Sequence, residues 1–246
     1  MWAREIVHRR NYRALLAAAR LTPHPVQNMW RYLTASGSYP YSPAVRTPTG
    51  VVRPTLDSFH DMMTFNEIFL REDYYLPEDA RTVLDLGSNK GISALYFLTR
   101  NPDVRVWLYE PVPANVERLR ANLDGLEDRY VLDQVAVGTK SGSVSFNIEP
   151  TGRYGGIGVA TAQAITVACK HINEVLATIF DNETHIDLLK IDIEGLEIAV
   201  VEEIDRAYLP RIRTICFEWG DPDLKPLQDI YDSTFFNETY RLTLRR

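Results

Sequence analysis

The chain has 246 residues and a formal net charge of −6, with 45% hydrophobic and 24% charged residues. That size suits one large α/β domain with its own core and a short appendage, and the acid excess argues against a nucleic-acid backbone as principal partner, since domains that bind one carry a basic face. Two cysteines, Cys169 and Cys216, stand in apolar runs and read as buried thiols, not as a disulfide framework.

In chain order, "MWAREIVHRRNYRALLAAAR" predicts a helix to about Arg20, its apolar stripe broken by Arg4, Arg9, Arg10, Arg13 and Arg20. It lacks the uninterrupted apolar run of a signal peptide or membrane span, so a cytoplasmic chain with no stable membrane insertion is expected. The helix packs on the domain or on a second copy in one reading and lies on a membrane surface in another. A homo-oligomer therefore stays open. The two "NET" triplets, at Asn182 and Asn237, read as chance without a secretory route. A second short helix is predicted from Val26 to Leu33. A turn-rich stretch with Pro40, Pro43, Pro48 and Pro54 follows. "DSFHDMMTFNEIFLREDYY" then shows mixed helical spacing. Residues 1–80 read as a helical and irregular cap, not an independent domain, and Tyr39 to Tyr75 as a mobile lid over the cleft.

From residue 81 to 246 the pattern is regular. "TVLDLG", "VRVWLYE", "YVLDQVAV", "IDLLKID" and "RTICFEW" read as core strands, "GSVSFNI" and "AITVACK" as further strands. "ISALYFLTR", "PANVERLRANL", "HINEVLATIF" and "GLEIAVVEEI" read as helices, with Pro113 in a first turn where its missing N–H costs nothing. The alternation predicts an α/β fold, a mostly parallel sheet with helices on both faces.

In such sheets ligands sit beyond the carboxyl ends of the strands. "VLDLGSNKG", Val83 to Gly91, occupies that place, with Asp85 expected near the strand tip and Gly87 and Gly91 in the turn. A dinucleotide fingerprint wants a second glycine where Asn89 stands, and Asp85 would sit near a doubly negative diphosphate. A ligand with an ammonium, a sulfonium and a ribose suits these groups better, and S-adenosylmethionine is one. Asp85 then attracts its amino group, the glycine turn admits its methionyl part, and Glu110, ending the second strand, accepts from both ribose hydroxyls.

Further along stand "YEPVPANVERLRANL", "SGSVSF" and "LLKIDIEGLE", in that order. With the loop they make the chain resemble the FkbM family of S-adenosylmethionine-dependent methyltransferases. The matches are Asp85 to Gly91, Glu110 to Pro113, Gly142 to Phe146 and Lys190 to Glu197, within a likeness from about Phe65 to Trp219. The resemblance implies a class I Rossmann-like methyltransferase fold, and methylation of hydroxyl groups, of sugars and natural products among others. It places Asp85, Gly87, Ser88, Asn89, Gly91, Ser93, Glu110, Pro111, Ala136 and Asp192 around the cofactor. Ser88 and Lys90 replace commonly small or apolar residues, and His171 to Glu174 depart from the family's T-L-D-D. The final hairpin must fit within "STFFNETYRLTLRR".

A hydroxyl is a poor nucleophile until its proton is taken or a metal binds its oxygen. Asp192, Glu194 and Glu218 lie at or beyond strand ends and are the catalytic candidates, with His60 of the cap as a possible base. Alternation puts Asp192 and Glu194 on one side if the strand continues; otherwise Glu194 is an acid beside a helix N-terminus. In one reading Asp192 and Glu218 share a magnesium ion; in the other Asp192 acts without metal, as base or as a hydrogen-bond acceptor orienting the hydroxyl, with His60 taking the proton. Tyr154, Trp30, Tyr32, Tyr39 and Tyr41 suit stacking on a sugar or ordinary packing. The expected function is transfer of a methyl group to a hydroxyl of a sugar, oligosaccharide or glycosylated metabolite. The alternatives are a silent scaffold with the same fold, and an NAD-dependent dehydrogenase.

Overall fold

The computed structural model describes residues 9–148, 155–157, 163–218, 224–236 and 239–245. Two amphipathic helices open it, α1 (Arg9–Leu21) and α2 (Pro25–Thr34), the second started by a proline in its first turn. Ala14 and Ala18 of α1 are buried in the main core, so this helix packs on its own domain. A small hairpin, β1 (Val45–Thr47) and β2 (Gly50–Val52), leads to α3 (Phe59–Phe65). Ser58 caps α3 by accepting the Asp61 N–H at 3.2 Å. The helix then widens to a π turn over Asn66–Leu70, closed by Arg71 N–H to the Asn66 carbonyl. The extra residue per turn explains the mixed spacing of this stretch, because it rotates Ile68, Phe69 and Leu70 all inward.

The domain alternates β3 (Thr82–Leu86), α4 (Ile92–Leu98), β4 (Arg105–Tyr109), α5 (Pro113–Asn122) and β5 (Tyr130–Asp133). There follow β6 (Ala136–Gly138), β7 (Gly142–Ile148), β8 (Gly155–Ile157), β9 (Gln163–His171) and α6 (Ile172–Phe180). The chain returns through β10 (Leu188–Ile191), α7 (Glu197–Glu202) and β11 (Thr214–Glu218) to a terminal hairpin, β12 (Tyr231–Phe236) and β13 (Thr239–Leu244). The main sheet runs β12-β13-β11-β10-β3-β4-β5, parallel from β11 to β5, with β13 antiparallel to β11. Its order reverses between β3 and β10, the usual place of a ligand crevice.

"YVLDQVAV" is two strands, not one. β5 ends at Asp133, and β6 joins β7, β8 and β9 in a separate sheet of order β6-β9-β7-β8. His171 starts α6 as its cap, accepting the Asn173 N–H on Nδ1 at 3.1 Å, so the departure at His171 to Glu174 keeps a working helix start.

Alternation along the buried strands divides two cores. Leu84, Leu86, Leu189, Ile191, Ile215 and Phe217 face α6 and α7. Val83, Leu188 and Cys216 face the opposite side, under α4, α5 and the N-terminal cap. The same alternation sends Asp85, Lys190 and Glu218 to the cap side. Cap residues Val45, Leu56, Met62, Phe65 and Phe69 belong to that core, so the expectation of a mobile lid over Tyr39 to Tyr75 is corrected: the segment is core-forming. No helix among the described residues is long and apolar enough to cross a membrane.

Candidate active site

Asp85 lies inside β3, fully buried, and Lys190 stands beside it in register on β10. Lys190 Nζ meets Asp85 Oδ1 at 2.9 Å, the Gly87 carbonyl at 3.1 Å and Asp192 Oδ2 at 3.3 Å. Burial works against the ammonium, but the charges of Asp85 and Asp192 and their hydrogen bonds outweigh it, and its pKa is raised. The other Asp85 oxygen accepts from Ser93 Oγ at 2.6 Å. Asp85 is therefore spent on the protein. Its expected pairing with a cofactor amino group is corrected, because both oxygens are held and neither reaches the surface. A lone lysine in the buried run "IDLLKID" was the signal, since such a charge requires an acid on the next strand.

The loop glycines also serve the chain itself. At Gly87, φ is +75° and a Cβ would come within 1.8 Å of the Asp192 carbonyl oxygen; at Gly91, φ is +80° and a Cβ would touch Leu119 Cγ at 3.0 Å. The turn thus admits neighbouring protein, where a ligand was expected. Asn89 holds a left-handed φ of 47°, and the buried Ser88 donates its hydroxyl to the Asp85 carbonyl at 2.9 Å. The amides of Gly87 and Ser88 donate to the Tyr109 carbonyl, that of Gly91 to Ser88 and that of Asn89 to Glu110. Amides so committed cannot cradle a diphosphate, which removes the physical basis of the dehydrogenase reading.

Glu110 follows β4 and is buried, with Oε2 accepting from Asn89 N–H at 2.9 Å and Oε1 from Val112 N–H at 2.9 Å and Asn115 Nδ2 at 3.1 Å. Burial raises its pKa despite these bonds. The carboxylate thereby ties the loop to the start of α5. Pro111 is buried beside it. Ala136, on β6, packs in a small cluster with Val112, Phe146 and Cys169.

Beyond the strand ends stand Asp192 and Glu218. The Asp192 side chain is 33% exposed. Glu218 ends β11 and accepts the hydroxyl of Tyr74 at 2.7 Å. Burial and then the Asp192 charge push Glu218 up to about 8, with the Tyr74 bond working the other way. Tyr74, raised well above its usual value by burial and these same acids, stands 5.4 Å below Lys190 Nζ across its ring. No periodicity singles Tyr74 out, because it follows the π turn, where helical register is lost.

The structure does not bring Glu194 into line with Asp192. The strand stops at Ile191, and Glu194 has a φ of 61°, so alternation no longer applies. The acid at the start of α7 is Glu197, which accepts from the Ile193 and Gly195 amides. His60 is half-buried on α3, its ring 6.2 Å from that of Phe59. Among the described residues no group of three or more histidine, cysteine or acidic side chains could hold a metal. The shared magnesium finds no support here, since the Lys190 ammonium already lies 3.3 Å from Asp192 Oδ2. Tyr32, Tyr39 and Tyr41 pack against the cap core, with Arg31 4.0 Å over the Tyr41 ring. Tyr154 lies outside the described residues.

The acids at the strand ends fit a cofactor with positive centres. Glu110 stands beyond β4, Asp192 beyond β10 and Glu218 at the end of β11, and Lys190 is held between Asp85 and Asp192. A parallel sheet reversing at β3 and β10, closed by an antiparallel hairpin and lined by acids at its crevice, defines a class I methyltransferase. The chain belongs to the FkbM methyltransferase family, whose domain matches residues 85–242. It is 26% identical over 217 residues to the 31-O-demethyl-FK506 methyltransferase FkbM of Streptomyces tacrolimicus, covering 73% of this chain and 82% of that one. It is 29% identical over 175 residues to the 2-O-methyltransferase NoeI of Sinorhizobium fredii, covering 61% and 69%. The AMB antimetabolite synthetase AmbE of Pseudomonas aeruginosa is 27% identical over 193 residues, which cover 63% of this chain but only 9% of that much longer protein.

Proposed function

We propose that the protein transfers a methyl group from S-adenosylmethionine to a hydroxyl oxygen of a sugar, an oligosaccharide or a glycosylated metabolite. The observation that carries the cofactor choice is the loop, whose committed amides suit no diphosphate, beside acids that suit a cation. Two of the relatives have names that specify O-methylation, which supports an oxygen acceptor. The sugar rests on the family resemblance alone.

When bound, the cofactor supplies an electrophilic methyl group. Asp192, partly exposed and fixed by Lys190, accepts a hydrogen bond from a neighbouring hydroxyl of the acceptor and so orients it. Glu218 in its ionised form takes the proton of the reacting hydroxyl as the methyl group is transferred, and Tyr74 keeps its carboxylate turned to the site. Glu110 and Asp192 would hold the cofactor, while Asp85, Ser93 and Lys190 hold the floor on which they stand.

Calorimetric titration with S-adenosylhomocysteine and with NAD tests the cofactor. Micromolar binding of the first alone is expected; binding of NAD, or of neither, refutes the reading. Release of labelled methyl into hydroxyl acceptors then separates an enzyme from a silent scaffold.

A further inference from the structure

A second cavity, a cleft of about 800 Å3, lies between α1, the β1–β2 hairpin, the segment after the π turn and the terminal hairpin. Its volume falls within the roughly 300–1,000 Å3 of small-molecule sites. The cross-strand pairs Thr234 with Arg241 and Phe236 with Thr239 put these four residues on one face of the terminal hairpin, and all four line the cleft.

The charge of the cleft opposes that of the chain. Five arginines line it, against the two acids Glu72 and Asp73. Arg71 is paired with Asp73, and Arg100 with Glu72 at 2.9 Å. Among the described residues no carboxylate pairs with the other three. Arg46 donates to the Arg20 carbonyl at 3.2 Å, Arg241 donates to the Tyr75 carbonyl at 3.0 Å, and Arg20 lies at the exposed rim. In a protein of net charge −6, three arginines with no carboxylate partner among the described residues thus surround one cavity. Solvent-exposed apolar surface accompanies them: Leu16 is 61% exposed and Phe236 52%, and Tyr75 adds its ring. Thr239, in the same wall, has a buried hydroxyl with no hydrogen-bond partner among the described residues.

We propose that this cleft is a binding site for a small amphipathic organic anion, a phosphate or carboxylate carried on an apolar chain or ring. Guanidinium forks match such anionic groups in geometry as well as charge, and the apolar wall takes the rest of the molecule. The site is distinct from the cofactor crevice. Tyr74 divides them, with its hydroxyl on Glu218 and its neighbours Asp73 and Tyr75 in the cleft. The proposal requires no turnover and stands or falls separately from methyl transfer.

The test is calorimetric titration of the full chain with decyl phosphate and, as a neutral match, decyl glucoside, each below its micelle concentration. Decyl phosphate should bind about tenfold or more tightly than the glucoside, and weaken as salt rises. The double variant Arg20→Glu, Arg46→Glu should lose at least about tenfold in decyl phosphate affinity while S-adenosylhomocysteine binding stays unchanged. Both side chains are exposed, so folding should be retained; Phe236→Asp provides a second variant with the same expected loss. Equal binding of the two ligands, or equal binding of decyl phosphate by parent and variants, overturns the proposal. So does a stable dimer that Phe236→Asp dissociates, since the occupant would then be a second copy of the chain.

Discussion

Replacing Lys190 by methionine removes the only cation among the described residues that pairs with Asp85, where the two side chains are 2% and 0% exposed. Removing one partner of such a pair costs roughly 3–5 kcal/mol, because the remaining charge is left without water or counter-ion. A chain of this size loses about 2–4 °C of Tm per kcal/mol, so the fall should be on the order of 6–20 °C. The reverse change, Asp85→Asn, should cost less, about 1–3 kcal/mol, for a reason visible in the structure. Lys190 keeps Asp192 at 3.3 Å as a partner, and asparagine can still accept from Ser93. The double variant Asp85→Asn, Lys190→Met removes both charges of the pair and should be more stable than Lys190→Met alone. Denaturant unfolding of the four proteins measures the cycle. A loss below about 1 kcal/mol for Lys190→Met, well under the cost of an orphaned buried charge, would refute the reasoning. So would a double variant no better than that single one.

The other predictions concern the site and its loop. Glu218 has a folded pKa of about 8 against an ordinary 4.5, so the folded state holds the extra proton between those values. Its stabilising contribution is full below about pH 4.5 and lost as pH rises through about 8, and Glu218→Gln should flatten that slope in urea titrations across pH. If Glu218 takes the acceptor proton, kcat/KM should rise through about the same pH and lose that rise in the glutamine variant. Glu110→Ala orphans three donors, and should lower both stability and S-adenosylhomocysteine affinity, each charge-assisted bond being worth roughly 1.5–3 kcal/mol. Gly87→Ala should be far more damaging than Gly91→Ala, since the first meets a backbone oxygen at 1.8 Å and the second a leucine side chain at 3.0 Å. Comparable melting temperatures for the two would refute the packing account of this loop.

The parallel sheet was legible because its central strands β3, β10 and β11 are buried on both faces and run into glycine or acid. Periodicity and punctuation suffice for that. The division of "YVLDQVAV" was not legible, since only Gln134 and Val135 separate two strands that join different sheets. At the site, spacing located Asp85, Glu110, Asp192 and Glu218, but it could not assign their partners. Asp85 and Lys190 are 105 positions apart and become neighbours only through the parallel pairing of β3 with β10. A glycine in a tight turn likewise says that something approaches closely; whether a ligand or the chain itself is decided by the third dimension.

The cap shows most clearly how composition misleads and burial decides. Four prolines and broken periodicity suggested a segment that swings, yet Val45, Leu56, Met62, Phe65, Ile68 and Phe69 are all buried in the core shared with the sheet. Exposing six such side chains costs about 9–18 kcal/mol at roughly 1.5–3 kcal/mol each. That matches or exceeds the whole stability of an ordinary domain, about 5–15 kcal/mol. The cap is also tied to the loop after β3, where Lys90 Nζ meets both oxygens of Asp61 at 3.0 and 2.9 Å, and to α5, where Arg118 holds Asp57 at 2.9 Å. Lifting it would strand a buried ammonium and its acid together. Cleavage within residues 39–75 should therefore require global unfolding. Its rate should fall with denaturant-measured stability across the variants above, and should change with S-adenosylhomocysteine only as far as that ligand changes global stability. Rapid cutting of this segment in the fully folded protein, at a rate indifferent to those variants, would restore the lid.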